Sequence, residues 1–266
     1  MPPDEEVEQT KEDYSEWSKG AIWADPGIHI AVVTAANDVV TALRALSAKI
    51  KDGLHATAGQ SGEDQMHMFD HHIHKEKELT SIRIELFHLL TAISSEGLIN
   101  RFCYFELPNE VSETLEKLQP TEKLLVAATF LGQSNIKSSH VYGSLKYLVG
   151  WRNLYAHGHN PGRSARSLHK NHAVFPDPEE ISTLEDELSS LRKAAGCYRN
   201  VTAWLKETGT SMMTKISSFD NEAARIIEMI EGFSVTRKWL SPDSRGVRFQ
   251  FFELHVDLEK LSRLGN

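Results

Sequence analysis

Apolar residues recur at alternating steps of three and four along this chain, the spacing that puts side chains on one face of a helix. From Ile28 to Lys51 the line is Val32, Ala36, Val39, Leu43, Leu46 and Ile50, and Asp52-Gly53 reads as its stop. Residues 53–66 are polar and rich in Gly, Ser and Thr, which predicts a loop. Lys77 to Asn100 carries a second line, Ile82, Leu86, Leu89 and Ile93, which Glu96 continues. Asn109 to Leu118 predicts a short helix. Pro120 starts the next, with Leu124, Leu125, Ala128 and Leu131 turned inward and Gly132 at its end. A polar loop to Ser139 leads to a fourth line, Val141, Leu145, Leu148 and Tyr155. Four antiparallel helices with short joins predict an up-down bundle.

The C-terminal part continues as helix and then changes period. Ile181, Leu184, Leu188, Leu191, Ala195, Tyr198, Thr202 and Leu205 form a long seam within Glu179–Glu207, suited to packing on the bundle or on a second subunit. Phe219 to Glu231 is a shorter helix carrying Ala223, Ile226, Ile227 and Ile230. Val235–Leu240 and Val247–Phe252 then alternate around Ser-Pro-Asp-Ser-Arg-Gly, a hairpin pattern, and Glu253–Leu264 predicts a last helix. The expected fold is mainly α: an up-down helical bundle with an additional C-terminal helical segment and a small β-hairpin. Its expected organisation is an acidic tail over 1–20, a bundle over 21–160, a basic loop over 161–178 and a C-terminal extension over 179–266.

Composition narrows the class. Apolar residues make up 40% and charged residues 25%, values of an ordinary globular chain. No run of 18 uncharged apolar residues occurs, so no membrane span is expected. The first 20 residues carry seven acids and two lysines and have no apolar stretch, so they do not read as a secretory leader. Tyr14, Trp17, Ile22 and Trp23 could dock this region onto the body. Cys103 and Cys197 are too few for a disulfide framework and sit in apolar surroundings, as buried thiols do. The expectation is a cytoplasmic protein.

Arg152 breaks the pattern. It lies on the apolar line of the fourth helix, between Leu148 and Tyr155, where a guanidinium is costly to bury without a partner. The net charge of the chain is −8, yet Leu124 to Pro176 contains no Asp or Glu. The same span holds Lys137, Lys146, Arg152, Arg163, Arg166 and Lys170, with His140, His157, His159, His169 and His172. The counter-charge of Arg152 must come from another helix, another chain or a phosphate. Glu96, which prolongs the line of the second helix, is the first candidate and Glu85 the second. Such a pair is either purely structural or a means of orienting Arg152.

Arg152-Asn153-Leu154-Tyr155-Ala156-His157, following Glu122-Lys123-Leu124-Leu125, Gly132 and Leu148, resembles the signature of HEPN domains over roughly Thr121 to His159. That resemblance implies a HEPN-type bundle and a metal-independent endoribonuclease of the toxin or phage-defence kind, without cofactor. Arg152 would clamp phosphate, His157 would act as acid or base, and Asn153 would assist. His159, Lys146, Arg163 and Arg166 are further substrate-contacting candidates. The implied partners are RNA, a second copy meeting through the motif-bearing helices, and a cognate neutralising protein. Some relatives in that family are inactive and only bind nucleotides, RNA or proteins, and this alternative stays open. Arg152 would then be structural and His157 a cap on the helix C-terminus. The fit to the family favours the first reading, in which cleavage through the substrate 2′-hydroxyl needs a base titrating near neutrality and a fixed cation on the phosphate. Arg152 and His157 are about 140° apart on a regular helix, so a shared cleft must lie between helices or between chains.

Two stretches carry a functional and a plainer reading. The basic segment after His157 is either a phosphate-contacting lid or a solvated loop. His67, His71, His72 and His74 with Asp70 suggest a metal site or an exposed polar helix start; on a helix only His67, His71 and His74 share a face.

Overall fold

The computed structural model of the chain describes residues 26–60, 62–156, 184–209, 217–239, 242, 245, 246 and 248–263. The expected acidic tail, the basic loop 161–178 and Ile181 lie outside the described residues. The rest is mainly helical with one two-stranded sheet.

Helix α1, Pro26–Ala56, buries the predicted line: Val32, Ala36, Val39, Leu43, Leu46 and Ile50 are all at most 2% exposed. Each fully buried aliphatic side chain contributes roughly 1.5–3 kcal/mol of transfer free energy, which fixes α1 against its neighbours. By length and composition alone His29–Ala56 would also suffice to cross a membrane, with a window of mean hydropathy 1.3, and half of that window is buried inside the fold.

The predicted loop at 53–66 is mostly helix. Helix α1 runs through Gly53, and α2, Gly62–Glu106, begins four residues before the expected end of that loop. Gly53 ends nothing; it permits contact. A Cβ there would meet the rings of His72 at 3.0 Å and Phe69 at 3.1 Å, so the small residue lets α2 fold back closely on α1.

Helix α2 is 45 residues long, roughly 67 Å, and it is the central element, packed by α1 and by the helices over 120–130, 140–156 and 184–208. Its inward face corrects the expected one. Ile84, Phe87, His88, Thr91, Ser94, Ser95, Leu98, Ile99 and Phe102 are buried, whereas Ile82 and Leu86 of the predicted stripe are 59% and 45% exposed. The true core face contains small hydroxyl residues whose Oγ atoms donate to carbonyls in the preceding turn, as in Thr91 to Phe87 and Ser95 to Thr91. Bonded this way, they sit in the core without an orphaned polar atom.

Helix α3, Asn109–Leu115, is a short connector. Helix α4, Pro120–Phe130, starts where Pro120 predicts, with the Gln119 amide donating to Glu122 Oε2 at 2.9 Å. Gly132 ends it at φ +74°, and the Gln133 amide bonds back to the Ala128 carbonyl at 2.8 Å. A single 3₁₀ turn, Ile136–Ser138, leads to Ser139, whose hydroxyl accepts from the Tyr142 amide at the start of α5, His140–Ala156.

Helix α6, Leu184–Thr208, buries Leu184, Leu188, Leu191, Ala195, Tyr198, Thr202 and Leu205, the predicted seam. It packs against α2 and α5 within the same chain. Helix α7, Ser217–Glu231, lies on α6 and α1 and buries Ala223, Ile226 and Ile230. Strands β1, Phe233–Trp239, and β2, Gln250–Val256, pair antiparallel from Phe233↔Val256 to Trp239↔Gln250. The second strand thus sits later than the alternation suggested, and α8, Leu258–Arg263, follows it. Ser47 of α1 donates to the Leu254 carbonyl at 2.6 Å, tying the hairpin to the bundle. One core runs from Val32 to Leu261 across all these elements.

Candidate functional site

The apolar line of α5 dictates where Arg152 falls. Val141, Leu145 and Leu148 are buried, and the next position on that line emerges at the edge of the bundle, where Arg152 is 24% exposed. Side chains on a helix lean towards its N-terminus, so Arg152 reaches back along α5 and Glu96 back along the antiparallel α2, and they meet. Arg152 Nη1 donates to Glu96 Oε2, and Glu96 is 21% exposed. The guanidinium is held from its other side by Asn153, whose Oδ1 accepts from Nε at 3.2 Å and Nη2 at 2.9 Å. Glu96, the first candidate, is therefore the carboxylate that Arg152 takes; Glu85 is exposed and lies about 16 Å further down α2.

The site has a second cation that sequence patterning did not bring out. Lys123 of α4 is 7% exposed and donates from Nζ to Asn100 Oδ1 at 2.7 Å. Burial lowers its pKa, and the Glu96 carboxylate acts in the opposite direction. Glu96, Asn100 and Cys103 follow one another at steps of four and three, so α2 presents one polar line to Arg152 on α5 and Lys123 on α4. Burial pushes the Cys103 thiol up to about 11 despite Lys123 beside it, so it stays protonated and unreactive at neutral pH. One carboxylate thus serves two cations. The available signal was a lysine directly preceding the core pair Leu124–Leu125 on a short helix whose opposite face is already apolar.

Of the other candidates, Lys146 is half-buried and lies 120° around α5 from Arg152. His157, His159, Arg163 and Arg166 lie outside the described residues. His67, His71 and His74 are exposed along α2, and His74 meets Glu78 at 3.3 Å. Among the described residues no group of three His, Cys, Asp or Glu side chains converges to hold a metal ion.

A second polar chain, unforeseen in the sequence, crosses the core. His29 Nε2 donates to Glu222 Oε2 at 2.5 Å, which leaves Nδ1 to accept from the Tyr198 hydroxyl at 2.6 Å. Tyr198 in turn lies 3.0 Å from Ser94 Oγ. Burial lowers the pKa of His29, opposed by Glu222, and raises that of Tyr198. The four residues come from α1, α7, α6 and α2, and only Glu222, at 45%, is well exposed. With Tyr198 and Ser94 sealed inside the core, the chain fixes helices in register and offers a substrate no approach.

Chemically, the Arg152 group is an anion-binding element held in a set orientation. A planar fork, oriented by Asn153 and one carboxylate that is 21% exposed, can exchange that carboxylate for a phosphate. The chain matches no protein-family model, no characterised protein and no solved structure.

Proposed function

We propose that this chain is a HEPN-type, metal-independent endoribonuclease in which Arg152 binds the scissile phosphate. The observation that carries the reading is the Arg152 guanidinium itself: it stands at the rim of the bundle, 24% exposed, its plane set by Asn153, inside a stretch of 53 residues (124–176) without an acid. In this reading neutral His157 takes the proton from a substrate 2′-hydroxyl. The 2′-oxygen then attacks phosphorus, the bond to the 5′-oxygen breaks, and that oxygen leaves with a proton drawn from water. Arg152 holds the negative charge that grows on the phosphoryl oxygens.

A binding or scaffolding role is the second reading, and one observation favours it. Glu96 and Asn153 already engage Arg152 at three nitrogens, as a structural arginine would be engaged. Labelled RNA incubated in chelator separates the two. Cleavage by the wild type that is lost in both Arg152→Ala and His157→Ala supports the nuclease. Intact RNA with all three proteins, across single-stranded and structured substrates, supports the binding module.

A further inference from the structure

Among the described residues, helix α2 has a second apolar line that is exposed at Leu79, Ile82 and Leu86 and half-buried at Leu89 and Ile93. Leu79, Ile82, Leu86, Leu89 and Ile93 follow at steps of three and four, the repeat of a coiled-coil seam. Leu79 is 41% exposed, Ile82 59% and Leu86 45%. None of the five belongs to the core or packs against it among the described residues. The seam points away from the buried face, with Ile84, Phe87, Thr91 and Ser95 turned to the opposite side of the helix. Three large exposed aliphatics in one straight line on a rigid 45-residue helix differ from the scattered apolar residues of an ordinary surface.

We propose that this face is a dimerisation seam, and that it is occupied by α2 of a second copy of this chain, running parallel. The flanking charges select that partner and that direction. Glu78 and Glu85 lie along one edge of the seam, and Glu76 and Arg83 along the other. In a parallel pair, the residue before one seam position faces the residue five further on in the partner helix, so Glu78 faces Arg83 of the second copy, twice, by symmetry. An antiparallel pair opposes each edge to itself and sets Glu78 and Glu85 against glutamates. Glu78 is available for this, because its neighbour His74 is a 3.3 Å contact between two side chains that are both more than 60% exposed. The interface lies on α2, not on the motif-bearing helix α5, and it stands whether or not the chain cleaves RNA. Parallel pairing does place the two Arg152–Glu96 pairs at the same end of the dimer, since Glu96 is the next position on the seam.

Sedimentation equilibrium of the full chain over a hundredfold concentration range tests this. The wild type should dimerise. Ile82→Glu, at an exposed position, should raise the dimer Kd by about a hundredfold or more while leaving the far-UV dichroism and Tm of the monomer unchanged. Glu78→Arg alone and Arg83→Glu alone should each raise Kd about fivefold, and the two together should restore it. A wild type that stays monomeric throughout overturns the proposal, as does a dimer indifferent to Ile82→Glu. A double charge exchange that does not recover Kd overturns the parallel arrangement.

Discussion

Truncating Arg152 separates its structural work from its chemical work. Arg152→Ala removes one ion pair and the two hydrogen bonds that the guanidinium donates to Asn153 Oδ1. At 24% and 21% exposure the pair lies between two limits. Exposed pairs are worth about 0.2–1 kcal/mol, and removing one partner of a sealed pair costs about 3–5 kcal/mol. Glu96 is not orphaned by the change, because Lys123 still neighbours it. The expected cost is therefore about 1–2 kcal/mol, a fall in Tm of roughly 2–8 °C for a chain of this size. Glu96→Gln should cost more, about 2–3 kcal/mol, since it strips the carboxylate from a buried Lys123 as well as from Arg152. Thermal melts and RNA cleavage would be measured on the same preparations. If Arg152 clamps phosphate, Arg152→Ala loses about 10²–10³ in kcat/KM, whereas the less stable Glu96→Gln stays within about tenfold of wild type. Activity falling in step with Tm in both variants would refute the reasoning, since Arg152 would then act only by holding helices together. So would cleavage by Arg152→Ala at the wild-type rate.

Tyr198→Phe deletes the hydroxyl between His29 and Ser94 and should cost about 1–3 kcal/mol in urea denaturation, because two buried groups lose a partner. Burial holds His29 and His88 below the 6.5 of an ordinary histidine, so the unfolded chain takes up their protons first. Their stabilising contribution is present above pH 6.5 and is lost as pH falls through 6.5 towards the folded-state values. The urea midpoint should therefore drop between pH 7.5 and 5.5 and drop less in His88→Gln; an equal drop in both would contradict this. Gly232→Ala drives a Cβ to 2.9 Å from Leu261 Cδ2 and should lower stability by about 1–3 kcal/mol. Gly132→Ala meets open space but sits at φ +74°, so its cost should be smaller, about 1 kcal/mol, in the same denaturation assay.

Much of this architecture was legible from periodicity, and the reason is local. In α1 and α6 the buried line is built almost wholly of aliphatic residues with Ala and Tyr, so apolar spacing and core face coincide. Pro120 and Gly132 bound α4 through backbone preferences that hold wherever those residues stand. The Arg152–Glu96 pair was also foreseeable, because each charge prolongs an apolar line on its own helix. Helix α2 shows where that logic stops. Its inward face is Thr91, Ser94, Ser95 and His88 among Phe and Leu, each able to bond locally or to a partner, while its cleanest aliphatic line faces outward. Which face of such a helix is buried depends on what packs against it, and only the placement of α1, α5 and α6 decides that. The same holds for Lys123 beside Glu96, and for His29 meeting Glu222 across 193 residues of chain. Short-range spacing fixes where helices form; the burial of a polar atom depends on distant partners, and those exist only once the chain has closed on itself.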